Sequence, residues 1–312
     1  MYLKVKSKLK GFSSAYYVVK EVFVINLPFK IMFNNHNKMK KTLFCFLTSL
    51  IFICCNPKKE KNSLPVFKNL VWGDEFNYDG EINQSLWHLQ TIPIANGSWA
   101  NDELQHYTED IKNCFVKDGF LNIVALKEDI EMYNSSKNYS SARLNSKFDF
   151  KYGRIDVKAK LPSSKGTWPA IWTLGSDIDE IGNYLGESKG ENPWPYCGEI
   201  DIMEQNGWDK SDLYNVLHFH NTGTNKKDEM KKISSISNSD EFNVYSLVWN
   251  KEKIYWLLNN NVTYEHKNMD VMPFDNNHYL LLNLAIGGVL GGEVPGDFSE
   301  ERMVIDYVRI FQ

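Results

Sequence analysis

Cysteine is scarce in this sequence, and its placement excludes two kinds of protein. Five cysteines occur among 312 residues, and three of them (Cys45, Cys54 and Cys55) lie in one apolar stretch near the N-terminus. Cys114 and Cys197 are the two that fall among the strand patterns described below. Two cysteines do not make a disulfide framework. No C-x-x-C pair is present, so the cysteines do not indicate a structural zinc site.

The sequence also lacks an excess of basic residues, a long apolar run and a long amphipathic helical pattern. Its formal net charge is −4, which gives no reason to expect a nucleic-acid partner. Its main apolar run, residues 42–53, is shorter than the roughly 20 residues of an ordinary transmembrane helix. The absence of helical periodicity leaves an all-β fold as the expectation.

The N-terminal region has the pattern of an export signal. A basic start at 39–41 (MKK) precedes the apolar run, which ends at Cys54 and Cys55. This resembles a bacterial lipoprotein signal, in which a cysteine is lipidated and becomes the mature N-terminus. Cys55 is the better candidate because Cys54, which precedes it, is smaller than Ile53; an ordinary secretory signal cleaved nearby is the alternative.

These features predict four segments. Residues 1–38 fit neither a signal nor a domain, so they are a misassigned start or unstructured. Residues 39–55 are the signal, 56–65 a polar tether and 66–312 a single folded domain. The protein is expected to be a cell-envelope (outer-membrane) lipoprotein or a secreted protein. We expect it to be a monomer that contacts the membrane only through its lipid.

Short strand-like runs separated by turn residues fill the predicted domain. Many of them alternate apolar and polar residues, the period of half-buried strands. The clearest are FLNIVA at 120–125, GRIDVKAK at 153–160, YSLVW at 245–249, KIYWLL at 253–258 and VIDYVRI at 304–310. Many short strands with polar turns favour a β-sandwich.

The segment EIDIME at 199–204 concentrates three acids on one predicted strand. Alternation puts Glu199 and Asp201 on one face and would turn Glu204 toward the core, where a carboxylate is costly. One extra residue, a β-bulge at Ile202-Met203, restores the phase and brings all three carboxylates to one face.

Three neighbouring acids repel one another, so a function is a better explanation for them than stability. Like charge and partial burial raise one carboxyl pKa so that it can donate a proton, while another acid stays ionised and can attack. This is the equipment for glycoside hydrolysis through a covalent intermediate. A solvated acidic strand face and a calcium site are the alternatives.

The sequence resembles glycoside hydrolase family 16, and within it the bacterial laminarinases, which are endo-β-1,3-glucanases. The segment EIDIME matches the family's active-site signature in its bulged form. Other matching segments occur in order along residues 70–312: WGDEFN at 72–77, NDELQHY at 101–107, SARL at 141–144, YGR at 152–154, GTWPAIW at 166–172, LNLAIGG at 282–288 and IDYVR at 305–309.

The resemblance implies a β-jelly roll of two curved antiparallel sheets with a substrate cleft on the concave face. It implies that Glu199 is the nucleophile and Glu204 the acid/base, and that Asp201 holds the nucleophile and tunes the proton. No cofactor takes part in this chemistry. Retention of anomeric configuration agrees with neighbouring carboxylates about 5–5.5 Å apart, which leave no room for an attacking water.

The resemblance also implies that further residues contact the glucan, among them Trp168, Asn101, Glu103 and His218 at positions that match the family. Aromatic rings can stack on sugars and polar side chains can bind their hydroxyl groups. The candidates are Trp168, Trp172, Trp194, Trp208, Asn101, Glu103, Arg143 and His218. For the tryptophans the alternative is a core position, and for the polar residues it is surface or turn chemistry. His220 is the alternative to His218 as a partner of a catalytic carboxylate or sugar.

The resemblance also implies a possible structural calcium ion on the convex face. The matching positions are Glu75 and Gly119, through backbone oxygens, and Asp306, through its carboxylate. A hard cation favours such oxygen ligands. The alternative is an Asp306 that only bonds the backbone.

Endo-hydrolysis of β-1,3-glucan is the function that the sequence favours. Family relatives that cleave mixed-linkage β-glucan, agarose, porphyran or carrageenan supply alternative substrates. The bulge argues against the simplest mixed-linkage enzymes, and the small number of arginines in the cleft segments argues against sulfated sugars. A non-catalytic glucan-binding protein is a further alternative, but it would not need three intact acids. Transglycosylation in place of hydrolysis also stays open.

Overall fold

The computed structural model describes residues 64–312 except Asn96 and Glu187. These residues belong to one compact unit, Lys61–Gln312. The predicted signal, the lipidation site at Cys55 and most of the tether lie outside the described residues. Inside them, no helix combines the length and the apolar character needed to cross a membrane.

The described chain is built almost entirely of strands. Their bounds are β1 Leu70–Asp74, β2 Trp87–Leu89, β3 Gln105–Tyr107, β4 Cys114–Lys117, β5 Phe120–Met132, β6 Ser135–Ser141, β7 Arg143–Phe150, β8 Gly153–Lys160, β9 Thr167–Gly175, β10 Glu199–Gln205, β11 Asp212–Asn221, β12 Lys226–Ser235, β13 Asn243–Trp249, β14 Lys253–Leu258, β15 Asn261–Lys267, β16 His278–Ile286 and β17 Glu300–Phe311. One short helix, α1, spans Gly288–Gly291.

The strands form two sheets. The first has ten strands in the order β15-β14-β13-β8-β17-β5-β6-β3, with β1 paired to β17 and β4 to β5. The second has seven strands in the order β12-β11-β10-β9-β16-β7-β2. The pairs among the described residues are antiparallel except β3 with β6. This is the predicted all-β sandwich, and each of the five strand runs named above lies within a strand.

The hydrophobic core lies between the two sheets. It combines residues of the ten-stranded sheet, such as Ile155 and Trp256, with residues of the seven-stranded sheet, such as Ile200 and Leu282, all nearly inaccessible to solvent. Alternation along each strand therefore sends one set of side chains into this core and the other set to the outside. On the seven-stranded sheet the outer face carries the predicted catalytic residues.

Candidate active site

The predicted bulge is present in β10. Against β9, Asp201 pairs with Trp172 and Met203 pairs with Ile171, so Ile202 is the extra residue. Against β11, the register shifts between Asp201 and Glu204. The interruption changes which face the next side chain points to. It is the reason that a strand with a core-facing Ile200 can present three acids on its other face.

Two buried side chains satisfy the main chain at the bulge. Asn215 of β11 donates its amide to the Ile202 carbonyl at 2.7 Å. Trp256 of the opposite sheet donates its indole N–H across the core to the Asp201 carbonyl at 2.8 Å. A bulge disrupts the ladder and leaves backbone groups to be satisfied in another way. These two bonds hold the bulge in place from inside the sandwich.

The carboxylate of Glu199 has donors and a basic side chain around it. Trp194 donates its indole N–H to Glu199 Oε2 at 2.7 Å. His218 Nε2 lies 3.8 Å from Glu199 Oε1. Burial raises the pKa of Glu199, while His218 and the Trp194 bond act in the opposite direction. Glu199 therefore has both an indole hydrogen bond and a nearby imidazole that stabilise its ionised form.

Asp201 and Glu204 hold their protons more strongly. Burial raises the pKa of Asp201 well above its usual range, and the charges of Glu199 and Glu204 raise it further. Burial also raises the pKa of Glu204 to about 8, with the Glu199 charge as the second cause. Trp168 donates its indole N–H to Glu204 Oε1 at 2.9 Å, which only partly offsets these effects. Burial therefore favours the neutral form of all three carboxyls, and only Glu199 has both an indole donor and a nearby imidazole that oppose this effect.

His218 lies beside these carboxyls on the neighbouring strand. It pairs directly with Glu199 in the β10–β11 ladder and with Glu229 in the β11–β12 ladder. Its Nε2 atom is 3.6 Å from Asp201 Oδ2, and its Nδ1 atom is 3.6 Å from Glu229 Oε2. His220 instead contacts Asn225 and stacks on Tyr196. The preference for His218 over His220 agrees with this placement.

The predicted tryptophans surround the acids rather than fill the core. Trp168 and Trp172 share a face of β9. This strand pairs with β10, where Asp201 lies opposite Trp172 and Glu204 lies opposite Ala170. Trp172 donates its indole N–H to Asn283 at 2.7 Å.

The other two tryptophans lie at the rim. Trp194, next to a cis Trp194-Pro195 bond, is 43% exposed, and the Lys227 ammonium lies 3.8 Å from its ring centroid. Trp208 is 50% exposed and packs against Gly292. Both rings are therefore accessible to a ligand.

Arg143 and Glu103 lie beneath the cleft floor. They are only 5% and 9% exposed. Arg143 lies between the rings of Trp99 and Trp172 and donates to Glu180 at 3.2 Å. Arg143 thus has partners within the protein, and the predicted contact of these two residues with the sugar stays a prediction.

The Glu103 carboxylate accepts hydrogen bonds from Gln105 at 2.6 Å and from Tyr107 at 2.9 Å. The Tyr107 hydroxyl in turn accepts a bond from Asn283, which holds the Trp172 ring. Asn101 is exposed at a turn and its carbonyl accepts a bond from Val289. Asn101 therefore has a side chain free to face solvent, unlike Glu103.

The three positions of the predicted calcium site meet at one corner of the ten-stranded sheet. β1 ends with Asp74 opposite Val308, and Leu121 pairs with Ile305, so Glu75 and Gly119 both lie near Asp306. The Asp306 carboxylate is 2.7 Å from the Lys158 ammonium. The Glu75 carboxylate accepts hydrogen bonds from Nε and Nη2 of Arg309, which lower its pKa. A cation at this corner would compete with Lys158 for Asp306.

Several residues that support the site were not predicted from the sequence. They are Asn215, Trp256, Asn283, Tyr107, Glu180 and Glu229. Each acts through a partner that is distant along the chain. The local feature that could have indicated such a residue is a polar side chain inside an otherwise apolar strand, as at Asn283 in LNLAI.

Comparison with known proteins agrees with this geometry. The family model described as "Glycosyl hydrolases family 16" matches residues 109–309. A beta-glucanase of Rhodothermus marinus is 32% identical over 88% of this chain and 96% of its own length. Glucan endo-1,3-beta-glucosidase A1 of Niallia circulans is 33% identical to this chain. The match covers 78% of this chain and 38% of that longer protein.

A solved structure gives the same relationship. The crystal structure of a variant of LamA from Zobellia galactanivorans, in complex with laminaritriose and laminaritetraose, is 50% identical to this chain. The match covers 79% of this chain and 100% of that one, with a TM-score of 0.77.

Proposed function

This chain is a member of glycosyl hydrolase family 16, and on that basis we propose that it cleaves internal β-1,3-glucosidic bonds of laminarin-like glucans with retention of anomeric configuration. The observation that carries the proposal is the bulged strand, which groups three buried carboxyls on the outer face of the sheet and raises the pKa of Glu204 to about 8 beside Glu199. The similarity to glucan endo-1,3-beta-glucosidases supports the choice of linkage.

The first step is attack on the sugar. Glu199 is the nucleophile because Trp194 and His218 support its ionised form. Its carboxylate oxygen forms a bond to the anomeric carbon as the glycosidic C–O bond breaks. Glu204 gives its proton to the leaving oxygen, so the shortened glucan departs as a neutral alcohol. The product of this step is a glycosyl ester on Glu199.

The second step returns the enzyme to its starting state. Glu204, now ionised, takes a proton from a water molecule, whose oxygen attacks the anomeric carbon and releases Glu199. Each step inverts the configuration at the anomeric carbon, so the two steps together retain it. Asp201, held neutral by burial and by both neighbours, can donate a hydrogen bond to Glu199 and so keep the nucleophile oriented. This reaction requires no cofactor.

The polysaccharide is expected to lie across the outer face of the seven-stranded sheet. Trp168 and Trp194 each bond a catalytic carboxylate and flank it, so a sugar stacked on either ring is held at the reacting centre. Trp208, next to the Glu204 end of β10, offers a further exposed ring. Arg143 and Glu103 contribute by fixing Trp172 and the floor below.

A substrate panel tests the proposal. We expect rapid release of oligosaccharides from laminarin, slower release from lichenan and none from agarose or κ-carrageenan. Proton NMR of early products should show the β-anomer first. Preference for lichenan or a galactan would reassign the substrate, and glucan binding without hydrolysis would identify a binding protein instead. Oligosaccharides longer than the substrate would indicate transglycosylation.

We also propose that the protein is anchored to the cell envelope by a lipid on Cys55, with Cys54 as the alternative. The support is the basic and apolar sequence before these cysteines. Native protein should fractionate with membranes, and mass spectrometry should find a lipidated N-terminal cysteine. Recovery in the medium with an unmodified N-terminus would contradict the anchor. Light scattering of the solubilised domain should give the mass of a monomer.

A structural calcium ion at the Asp306 corner is a further proposal. Main-chain oxygens of Glu75 and Gly119 and the carboxylate of Asp306 would hold it, in place of the Lys158 ammonium. Its role would be confined to stability. Calcium added to chelator-treated protein should raise the melting temperature, and Asp306→Asn should abolish that increase. An unchanged melting temperature would exclude the ion.

A further inference from the structure

We propose that the catalytic centre is also an inhibitory site for zinc or a similar transition-metal ion, bound by Glu199, Asp201 and His218. This inference rests on the proposed function, because Glu199 can be blocked as a nucleophile only if it acts as one. One ligand atom from each of the three side chains lies within 4.8 Å of the others. Carboxylate oxygens and an imidazole nitrogen are ligands that zinc accepts.

The spacing of these atoms is close to what zinc requires. A tetrahedral site with bonds of about 2.0–2.1 Å places its ligand atoms roughly 3.3 Å apart. His218 Nε2 lies 3.6 Å from Asp201 Oδ2 and 3.8 Å from Glu199 Oε1. For these two contacts of the imidazole, a closing movement of about 0.3–0.5 Å would meet the zinc geometry, and the Glu199 and Asp201 ligand atoms lie within 4.8 Å of each other.

An unpartnered buried atom points to the same ligand. Asp201 is 2% exposed, and its Oδ2 atom has no hydrogen-bond partner in the described part of the chain. A buried polar oxygen without a partner is costly. A cation between Asp201 and His218 would satisfy it. The Glu229 carboxylate on the other side of the His218 ring also favours a divalent cation.

Glu229 supplies the outer partner that metal-bound histidines usually have. Its carboxylate lies 3.6 Å from His218 Nδ1, on the side of the ring opposite the catalytic acids. A carboxylate that accepts the Nδ1 proton leaves the Nε2 lone pair free for the metal. The Lys231 ammonium, 3.1 Å from Glu229 Oε1, holds that carboxylate from its other side.

The choice of metal follows from the imidazole ligand. Calcium and magnesium prefer oxygen ligands, so they are poor competitors for a site with a histidine nitrogen. Zinc accepts both ligand types. Since Glu199 would be coordinated, a bound zinc ion and productive attack on a glucan exclude each other, and the inhibition should be competitive with substrate.

Calorimetry on tag-free protein tests the binding separately from the activity. We expect one zinc ion per chain with micromolar affinity, a higher melting temperature with zinc, competitive inhibition of laminarin hydrolysis and full recovery with EDTA. Magnesium and calcium should produce none of this inhibition. Zinc that binds without inhibiting, or no binding at all, would overturn the proposal.

Three variants locate the ion. His218→Gln should weaken zinc affinity at least a hundredfold, and Glu229→Gln about tenfold, as expected for loss of an outer carboxylate. Asp228→Asn is the matched control, because Asp228 is next to Glu229 on β12, bonds Asn221 and lies on the opposite face. Its zinc affinity should equal that of the wild type. Equal affinity in His218→Gln would contradict the assignment.

Two further results separate the possible failures. If His218→Gln does not fold, Glu199→Gln must lose zinc affinity instead, and retention there would overturn the site. If the wild type binds zinc at these residues but hydrolyses no glucan, the proposed function fails while the metal site stands. If it hydrolyses laminarin and binds no zinc, only the metal site fails.

Discussion

At the scale of single residues, the chemistry depends on how three similar carboxyls are made different. Burial favours the neutral form of all three, but only Glu199 combines an indole donor with a nearby imidazole. Asp201 has an oxygen with no donor, and at Glu204 one indole bond opposes burial and the charges of Glu199, Glu229 and Glu103, all of which raise its pKa. The surroundings, rather than the residue types, assign the nucleophile and the acid.

Replacement of the nucleophile should abolish hydrolysis without unfolding the protein. In Glu199→Gln the side chain keeps its size but cannot attack, so kcat should fall more than about a thousandfold. The melting temperature should stay at or above that of the wild type. In Glu199→Ala, added azide should restore turnover and give a product of inverted configuration. Near-normal activity of Glu199→Gln would remove Glu199 from this role.

Neutralising the acid should stabilise the fold at neutral pH. Because the folded-state pKa of Glu204, about 8, exceeds that of the unfolded chain, its contribution is fully present below about pH 4.5 and is lost as the pH rises toward 8. Glu204→Gln removes this loss. The shift corresponds to an upper bound of about 4 kcal/mol of added stability at pH 7.5, and we expect little difference at pH 4. Denaturant unfolding at both values measures it, and a variant less stable at pH 7.5 would contradict the argument.

At the scale of elements, the bulge in β10 determines whether Glu204 reaches the substrate. A regular strand would turn this side chain toward the core, so one extra residue restores it to the outer face. The bulge is held by Asn215 from the neighbouring strand and by Trp256 from the opposite sheet. The position of the acid is thus a property of three strands together.

Loss of the Asn215 bond should affect both stability and activity. In Asn215→Ala the Ile202 carbonyl loses its buried donor, which should cost about 1–3 kcal/mol. A shift of Glu204 by ~1 Å would lower kcat about a hundredfold while KM changes little. Thr263→Val is a useful control, since Thr263 contacts the other amide atom of Asn215 and not the bulge. A stable Asn215→Ala variant with normal kcat would show that the bulge does not depend on the Asn215 hydrogen bond.

At the scale of the whole molecule, stability has opposing dependences on pH. The catalytic carboxyls reduce stability as the pH rises, for the reason given for Glu204. His278 does the reverse, because it is fully buried between the sheets beside Trp249 and its pKa is lowered to about 3 by that burial. Its neutral form contributes stability that is present above pH 6.5 and is lost as the pH falls toward 3.

Removal of this histidine should flatten the acid side of the stability curve. His278→Asn can keep a hydrogen bond with Thr173 and cannot titrate. Between pH 6.5 and 4 the wild type should lose about 2–3 kcal/mol that the variant does not lose. Melting temperatures across this range measure the slope, and His266→Asn, on an outer edge strand, serves as the control. Parallel curves for wild type and His278→Asn would assign acid lability to other groups.

Much of this molecule could be predicted from the sequence because the relevant information is local. Strand alternation, turn residues and the spacing of Glu199, Asp201 and Glu204 are read within a few positions of one another, and they predicted the sandwich, the bulge and the three acids on one face. The position of Trp168 and Trp172 on one face of a strand follows from the same period. Those expectations agree with the structure.

The tertiary structure decided what depends on residues far apart in the chain. The sequence predicted Arg143 and Glu103 as sugar contacts, but it did not show their partners within the protein. These are Glu180 for Arg143, and Tyr107 with Asn283 for Glu103. Glu229 reaches His218 only because β12 pairs with β11 in one register. Which acid keeps its proton was likewise beyond the sequence, because a pKa depends on burial and on neighbouring charges, and both arise only when the two sheets close around β10.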